Sequence, residues 1–146
     1  MKYPSSAATL AVLFLLASPL TQAAVRDVTM YKNQGCLCCD KWAQHLEKNG
    51  FRVKSVALDD VTPVKEKNHV PVALRSCHTA QIGGYVFEGH VPADLVSRVL
   101  KEKPKLAGLA APGMPQSAPG MDLPGNHPYA VIAFTADGKT RVYAQR

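Results

Sequence analysis

Apolar and polar residues alternate from Val25 to Tyr31 (V-R-D-V-T-M-Y), a period of two that predicts a strand. Asn33-Gln34-Gly35 ends it. From Asp40 to Asn49 the period lengthens. Trp42, Ala43 and Leu46 share one face of a predicted helix, and Gly50 stops it. Phe51 to Leu58 (F-R-V-K-S-V-A-L) alternates again, as a second strand. A short helix or turn is expected around Pro63 to Asn68, followed by Val70-Pro71-Val72. His78 to Ile82 and Tyr85 to Glu88 are predicted as two short strands around the hairpin signal Gly83-Gly84. Pro92 to Lys103 predicts a helix, with Pro92 near its first turn. Leu95, Val96, Val99 and Leu100 form its apolar face, and Lys101 and Lys103 lie at its negative end.

The pattern breaks at Pro104. Residues 104–128 are rich in Pro and Gly with little periodicity, and within them Pro112-Gly113-Met114 recurs as Pro119-Gly120-Met121. Tyr129 to Phe134 then predicts a buried strand, Asp137-Gly138 a hairpin turn, and Thr140 to Tyr143 the return strand. This hairpin is expected to pack back on the domain. The order β-α-β-(α)-β-β-α before Pro104 is that of a thioredoxin-like domain. The expected fold is therefore α/β: a thioredoxin-like domain with a Pro/Gly/Met loop and a β-hairpin (129–146) as its C-terminal extension.

The start of the chain belongs to no element. Lys2 gives a positive beginning, Ala7 to Ala17 is mostly apolar, and Ser18-Pro19 breaks the run. Thr21-Gln22-Ala23 places small residues where a cleavage site needs them. Residues 1–23 are therefore expected to be a secretory signal peptide. The apolar run is too short to span a bilayer, and no later one is long enough. Residues 24–146 suffice for one domain with its own hydrophobic core.

The formal net charge is +6 at pH 7, but the charges are scattered. Lys101, Lys103 and Lys105 form the densest group, at a predicted helix end, where cations suit the helix dipole. Nothing here has the basic stripe of a nucleic-acid binder.

The chemistry lies in four cysteines. Three crowd into Cys36-Leu37-Cys38-Cys39, and the fourth, Cys77, precedes His78. Cys36 and Cys39 have the C-x-x-C spacing of a redox pair. Cys38 adds a thiol that such a pair does not need. Two structural disulfides are hard to draw, because a relaxed bridge wants Cα atoms about 5.5–6 Å apart and three of the four cysteines are near neighbours. One bridge is feasible, either Cys36 to Cys39 or from the cluster to Cys77.

The cluster sits just before a predicted helix, where unpaired N–H groups and the helix dipole favour thiolates. Lys32 and Lys41 add positive potential. A closed zinc site prefers ligands two to four residues apart on two separated arms, which suits adjacent Cys38 and Cys39 poorly. A cuprous cluster tolerates them, since thiolates bridge metal ions, and soft thiolates suit Cu(I). Cys77 becomes the fourth sulfur if the third strand starts beside the first helix. Copper, as Cu(I) and in more than one ion, is thus the metal expected.

Other soft or basic donors extend the set. Met30 lies in a predicted strand, where filling the core is its natural role. Met114 and Met121 lie in Pro/Gly loops, where core filling is less natural, and thioether sulfur binds Cu(I) without ionising. His78, beside Cys77, and His90, before Pro92, are candidate ligands. His45 falls seven residues beyond Cys38, about 10 Å along a helix, and is expected at the surface. Glu88 can orient the His90 imidazole, but a solvated strand carboxylate is the simpler reading.

Four ordered motifs resemble one known family. They are Gly35-Cys36-Leu37-Cys38-Cys39-Asp40-Lys41-Trp42, Ser76-Cys77-His78-Thr79-Ala80, Gly84-Tyr85-Val86-Phe87-Glu88-Gly89-His90-Val91-Pro92, and Pro112-Gly113-Met114-Pro115 with Pro119-Gly120-Met121. Together, from about Val25 to Tyr143, they are similar to the CopG-type periplasmic copper-resistance-associated proteins, long filed as a domain of unknown function. The resemblance implies a thioredoxin-like fold, export to the Gram-negative periplasm, and cuprous copper held by Cys36, Cys38, Cys39 and Cys77. It leaves His78, His90, Met114 and Met121 as less certain ligands. It also implies a link to periplasmic copper efflux or resistance proteins. Three functions follow: a copper-binding protein, a thiol oxidoreductase working through Cys36 and Cys39, or a disulfide-stapled interaction domain without metal.

Overall fold

Strand β1 (Arg26–Asn33) turns Val28, Met30 and Lys32 to one side and buries them. The side-chain period of a strand is two, so this face is fixed by the sequence. The computed structural model describes residues 26–121 and 123–146. The expected signal peptide, residues 1–23, lies outside the described residues.

After β1 come α1 (Leu37–Lys48), β2 (Phe51–Leu58), α2 (Thr62–Lys67), a single 3-10 turn (Val72–Leu74), β3 (His78–Ile82), β4 (Tyr85–Glu88), α3 (Ala93–Glu102), β5 (Gly108–Ala110), β6 (Ala130–Phe134) and β7 (Thr140–Gln145). The strands form one sheet in the order β2-β1-β3-β4-β5-β6-β7. β1 pairs parallel with β2, and β4 with β5; the other neighbours are antiparallel. The result is a mixed α/β fold with, among the described residues, a seven-stranded sheet and three α-helices.

Two layers cover the sheet. On the front, α1 contributes Trp42, Ala43 and Leu46, and α3 contributes Leu95, Val96 and Val99, to one cluster with Val28, Met30, Ala80, Phe87 and Leu109. Each Val, Leu, Met or Phe side chain among them contributes about 1.5–3 kcal/mol when fully buried. Met30 is fully buried there, as its strand position led us to expect. A second cluster (Val70, Leu74, Val86, Ala110 and Phe134) alternates with the front residues along β4, β5 and β6 and so lies on the reverse face.

Three sequence expectations change. Helix α1 begins at Leu37, three residues before Asp40, with Cys36 as its N-cap. Cys38 and Cys39 are thus inside its first turn rather than ahead of it. Pro92 is the N-cap of α3, and Lys103, in the left-handed region at φ 48°, closes it. The stretch after Pro104 contains a strand, β5, which periodicity did not show. Gly108 there passes 1.9 Å, measured from a built Cβ, from the Val86 carbonyl oxygen, so a side chain is excluded. Through β5 the β6–β7 hairpin joins the sheet rather than standing apart.

Candidate metal and redox centre

The β1–α1 connection carries the cysteine turn to the top of the front layer. Gly35, at φ +71°, makes the corner, and Lys32 reaches back from β1 to hold it. Its Nζ lies 2.5 Å from Asp40 Oδ1 and 3.5 Å from the Cys36 carbonyl oxygen. Lys32 is nearly buried, so this cation is anchored under the turn and partly neutralised by Asp40. Lys41 points to solvent.

Cys36 and Cys39 form a disulfide with Cα atoms 5.4 Å apart. Cys39 is fully buried; Cys36, Cys38 and Cys77 are half-buried. Cys38 Sγ lies 3.7 Å from Cys36 Sγ. Cys77 arrives from the other arm, immediately before β3, which pairs with β1 through Lys32 and His78. All four sulfurs lie within 4.8 Å of one another. The sequence expectation that Cys77 joins the cluster, if the third strand starts beside the first helix, describes the observed geometry.

A second group overlaps the first at Cys77. The ligand atoms of Cys77, His78 and His90 also lie within 4.8 Å of one another. Cys77 Sγ is 3.4 Å from His78 Nδ1 and 3.2 Å from His90 Nε2. His90 Nδ1 lies 2.7 Å from the Pro119 carbonyl oxygen. A carbonyl only accepts, so Nδ1 carries the hydrogen, and in the neutral ring Nε2 turns its lone pair toward the sulfur.

His78 is fully buried, with its ring 4.4 Å from that of Trp42 and 5.1 Å from that of His90. Burial, then the neighbouring His90 and Lys65, hold its pKa well below the usual imidazole range. It is therefore a neutral ring, the form that binds a metal. Its Nε2 has no hydrogen-bond partner among the described residues. Burial and then the proximity of Cys38 push the Cys77 thiol up to about 11. A neutral buried imidazole, crowded sulfurs and an orphaned ring nitrogen are a donor set that fits a soft metal ion.

The two Pro-Gly-Met units sit on opposite arms of this centre. Gly113, at φ +68°, bridges to Ser76 next to Cys77, and its carbonyl accepts from the Ser76 hydroxyl. Gly120, at φ +85°, packs on α1, where an added Cβ would lie 2.7 Å from the Trp42 nitrogen and 3.1 Å from the Cys38 carbonyl oxygen. Met114 is 59% exposed and Met121 half-buried.

Two histidine and carboxylate expectations are corrected. His45 is half-buried rather than a plain surface residue, because its Nε2 accepts from the Ala93 N–H, one of the open donors at the start of α3. Glu88 is neither solvated nor bonded to His90. It is fully buried on the reverse face and accepts from Lys65 Nζ at 2.6 Å, from the Ser76 N–H at 2.7 Å and from the Thr79 hydroxyl at 2.7 Å. Sequence reasoning missed Lys65. The available signal was its i,i+4 spacing from Val61, which is buried with it. His127 and His69 lie outside the centre; His127 Nε2 meets the Pro124 carbonyl oxygen, and His69 turns the chain at φ 54°.

Comparison with known proteins places this arrangement. A solved structure named "Copper resistance protein copG- Form 2" superposes with a TM-score of 0.80 at 36% identity, covering 84% of this chain and 99% of that one. The chain belongs to the CopG family. A second structure of the CopG protein, Form 1, gives a TM-score of 0.79 at 36% identity, over 84% of this chain and 98% of that one. The family described as a protein of unknown function, DUF411, matches residues 74–121. That stretch holds Cys77, His78, His90 and both Pro-Gly-Met units, while the Cys36–Cys39 turn lies outside it. No curated protein matches the chain.

Proposed function

We propose that this chain is a periplasmic copper-binding protein that holds Cu(I) through Cys36, Cys38, Cys39 and Cys77 and so contributes to copper resistance. The observation that carries the reading is the gathering of four sulfurs, from two arms of the fold, within 4.8 Å. The CopG relatives, named for copper resistance, support copper as the metal. His78 and His90 are the nitrogen donors of the proposal. Met114 and Met121, as soft thioethers, are its capture or accessory ligands. Sulfurs this close suit more than one cuprous ion, since each thiolate can bridge two. Copper is the cargo here, received from or passed to periplasmic efflux or resistance proteins.

The proposal takes the scaffold to be thioredoxin-like, supported by the parallel β1-α1-β2 unit, the antiparallel β3–β4 pair, α3 and the thiols at the β1–α1 junction. It takes residues 1–23 to be the export signal and residues 24–146 to be a single domain.

Full loading needs Cys36 and Cys39 as thiolates, so the disulfide must first take two electrons and two protons from a dithiol donor, which becomes a disulfide; the metal ions then displace those protons. That requirement favours a second reading, a copper-linked thiol oxidoreductase. Two Cu(I) ions would give one electron each to the Cys36–Cys39 disulfide; with two protons, the products are two Cu(II) ions and two thiols. The Cys36–Cys39 bond itself is the observation that favours it.

Anaerobic copper quantification of the reduced protein, against a variant with all four cysteines changed to serine, tests the first reading. Several copper ions per wild-type chain with a sulfur-dominated absorption edge, and none on the variant, is the expected result. Equal loading of both overturns it.

A further inference from the structure

The buried ion pair behind the sheet has no part in the chemistry so far. Lys65 and Glu88 are both buried, and their charged atoms are 2.6 Å apart. Lys65 Nζ also lies 3.1 Å from Thr79 Oγ1, whose hydroxyl donates to Glu88 Oε2 at 2.7 Å. For stability alone such a pair is a poor device, because taking two charges out of water costs as much as their attraction returns. Packed apolar residues would serve as well.

Its connections are more informative than its charge. Glu88 Oε1 takes the backbone N–H of Ser76, at 2.7 Å, and Ser76 directly precedes Cys77. The segment there is in no regular strand; β3 begins at His78. Gly89 N–H, next to Glu88, donates to the His78 carbonyl oxygen at 2.9 Å, and His90 follows. Three candidate ligands, Cys77, His78 and His90, are thus one or two residues from atoms tied to this carboxylate. The cysteine turn is braced separately, by Lys32 and Asp40. The two arms of the centre therefore have independent anchors, one on each face of the sheet.

We infer that Glu88 is the positioning residue for the Cys77 arm: its carboxylate oxygen, held by Lys65 and Thr79, fixes the Ser76 N–H and with it the place of Cys77 opposite the Cys36–Cys39 turn. The inference rests on the proposal that Cys77 is a copper ligand, and it deepens that proposal. Lys65 and Thr79 act only through Glu88. Lys65 sets its ammonium against the buried carboxylate, and Thr79 fills its second oxygen.

Two double variants separate positioning from mere packing. In K65M/E88Q both charges are gone, but the amide oxygen still accepts from the Ser76 N–H. In K65M/E88L the charges are gone and so is the acceptor. Circular dichroism and thermal unfolding first confirm that each is folded. K65M/E88Q should keep wild-type copper affinity, while K65M/E88L should lose about 10–100-fold, the usual loss when a group that orients a ligand is removed. Its sulfur shell, read by copper-edge absorption, should shrink toward three thiolates. Without metal, Cys77 should be alkylated faster in K65M/E88L, with Cys38 unchanged. Equal behaviour of the two folded variants, in affinity and alkylation, overturns the inference. Should K65M/E88L not fold, amide exchange in the wild type decides: the Ser76 N–H must be protected as strongly as those in β3, and exchange at open-loop rates overturns the inference. Copper loading that is unaffected by Cys77→Ser contradicts the copper role of Cys77 instead, leaving the alkylation and exchange results to judge the positioning.

Discussion

Cys77 Sγ and His90 Nε2 stand 3.2 Å apart, the one just before β3 and the other just after β4. The other nitrogen of that ring is committed to the Pro119 carbonyl oxygen, at 2.7 Å. The second Pro-Gly-Met unit therefore selects which face of His90 meets the sulfur cluster. The loop that looked structureless in sequence is part of the centre's wall.

This wall depends on glycine at one position more than another. Gly113 and Gly120 both have positive φ, but only Gly120 has backbone within 4 Å of an added Cβ, the Trp42 nitrogen at 2.7 Å. Gly113→Ala should cost about 1–2 kcal/mol from the left-handed backbone alone. Gly120→Ala should cost more, because a helix backbone atom cannot yield as a flexible side chain can. Denaturant melts of the two variants check this, and equal losses would contradict the packing described.

Trp42 is the single tryptophan of the chain, and its ring is 4.4 Å from that of His78. Its emission should therefore report on the centre. Cu(I) added to the reduced protein is expected to quench it, and Cys77→Ser with His78→Leu should weaken the response. Full quenching in the double variant would mean that copper binds elsewhere.

Cys38 is the surplus thiol for exchange but not for metal. Cys38→Ser should cut copper loading sharply while leaving the Cys36–Cys39 disulfide able to form and to be reduced. Metal analysis alongside dithiol titration separates the two. Loss of disulfide cycling with copper retained would reverse the assignment of roles.

Cys77 provides the pH test, in metal-free protein with the Cys36–Cys39 bond intact. Burial raises its folded pKa to about 11, above the unfolded value. The folded state thus holds this proton more tightly. The stability it confers is complete below the ordinary thiol range and is lost as pH rises through that range toward about 11. Alkylation of Cys77, followed by mass spectrometry across pH, should inflect near the upper value. An inflection at or below that of a free thiol contradicts the described burial.

Much of the scaffold was legible because it obeys simple periods. Phe51–Leu58 is a strand over the span that its alternation marks, and His78–Ile82 and Tyr85–Glu88 are the two strands that the Gly83-Gly84 hairpin signal predicts. The amphipathic run predicted from Pro92 to Lys103 is α3, one residue shorter at each end. The start of α1 was misplaced because Cys36-Leu37-Cys38-Cys39 carries no apolar period and no side-chain cap. β5 was invisible because Gly108–Ala110 is too short to alternate and is defined by its neighbours, Val86–Glu88 and Ile132–Phe134.

Of the centre, the sequence by itself determined the donors: three thiols within four positions, a fourth beside a histidine, and two Pro-Gly-Met turns. Residue chemistry and local spacing suffice for that. Only the tertiary structure decided that Cys77 meets the turn, that His78 is buried neutral against Trp42, and that His90 is oriented by Pro119. It alone turned Glu88 from a solvated carboxylate into a buried anchor paired with Lys65. These relations depend on which strands pair and which face each residue takes in the sheet. A linear pattern sets the face of a residue within its own element, but not the element that comes to cover it.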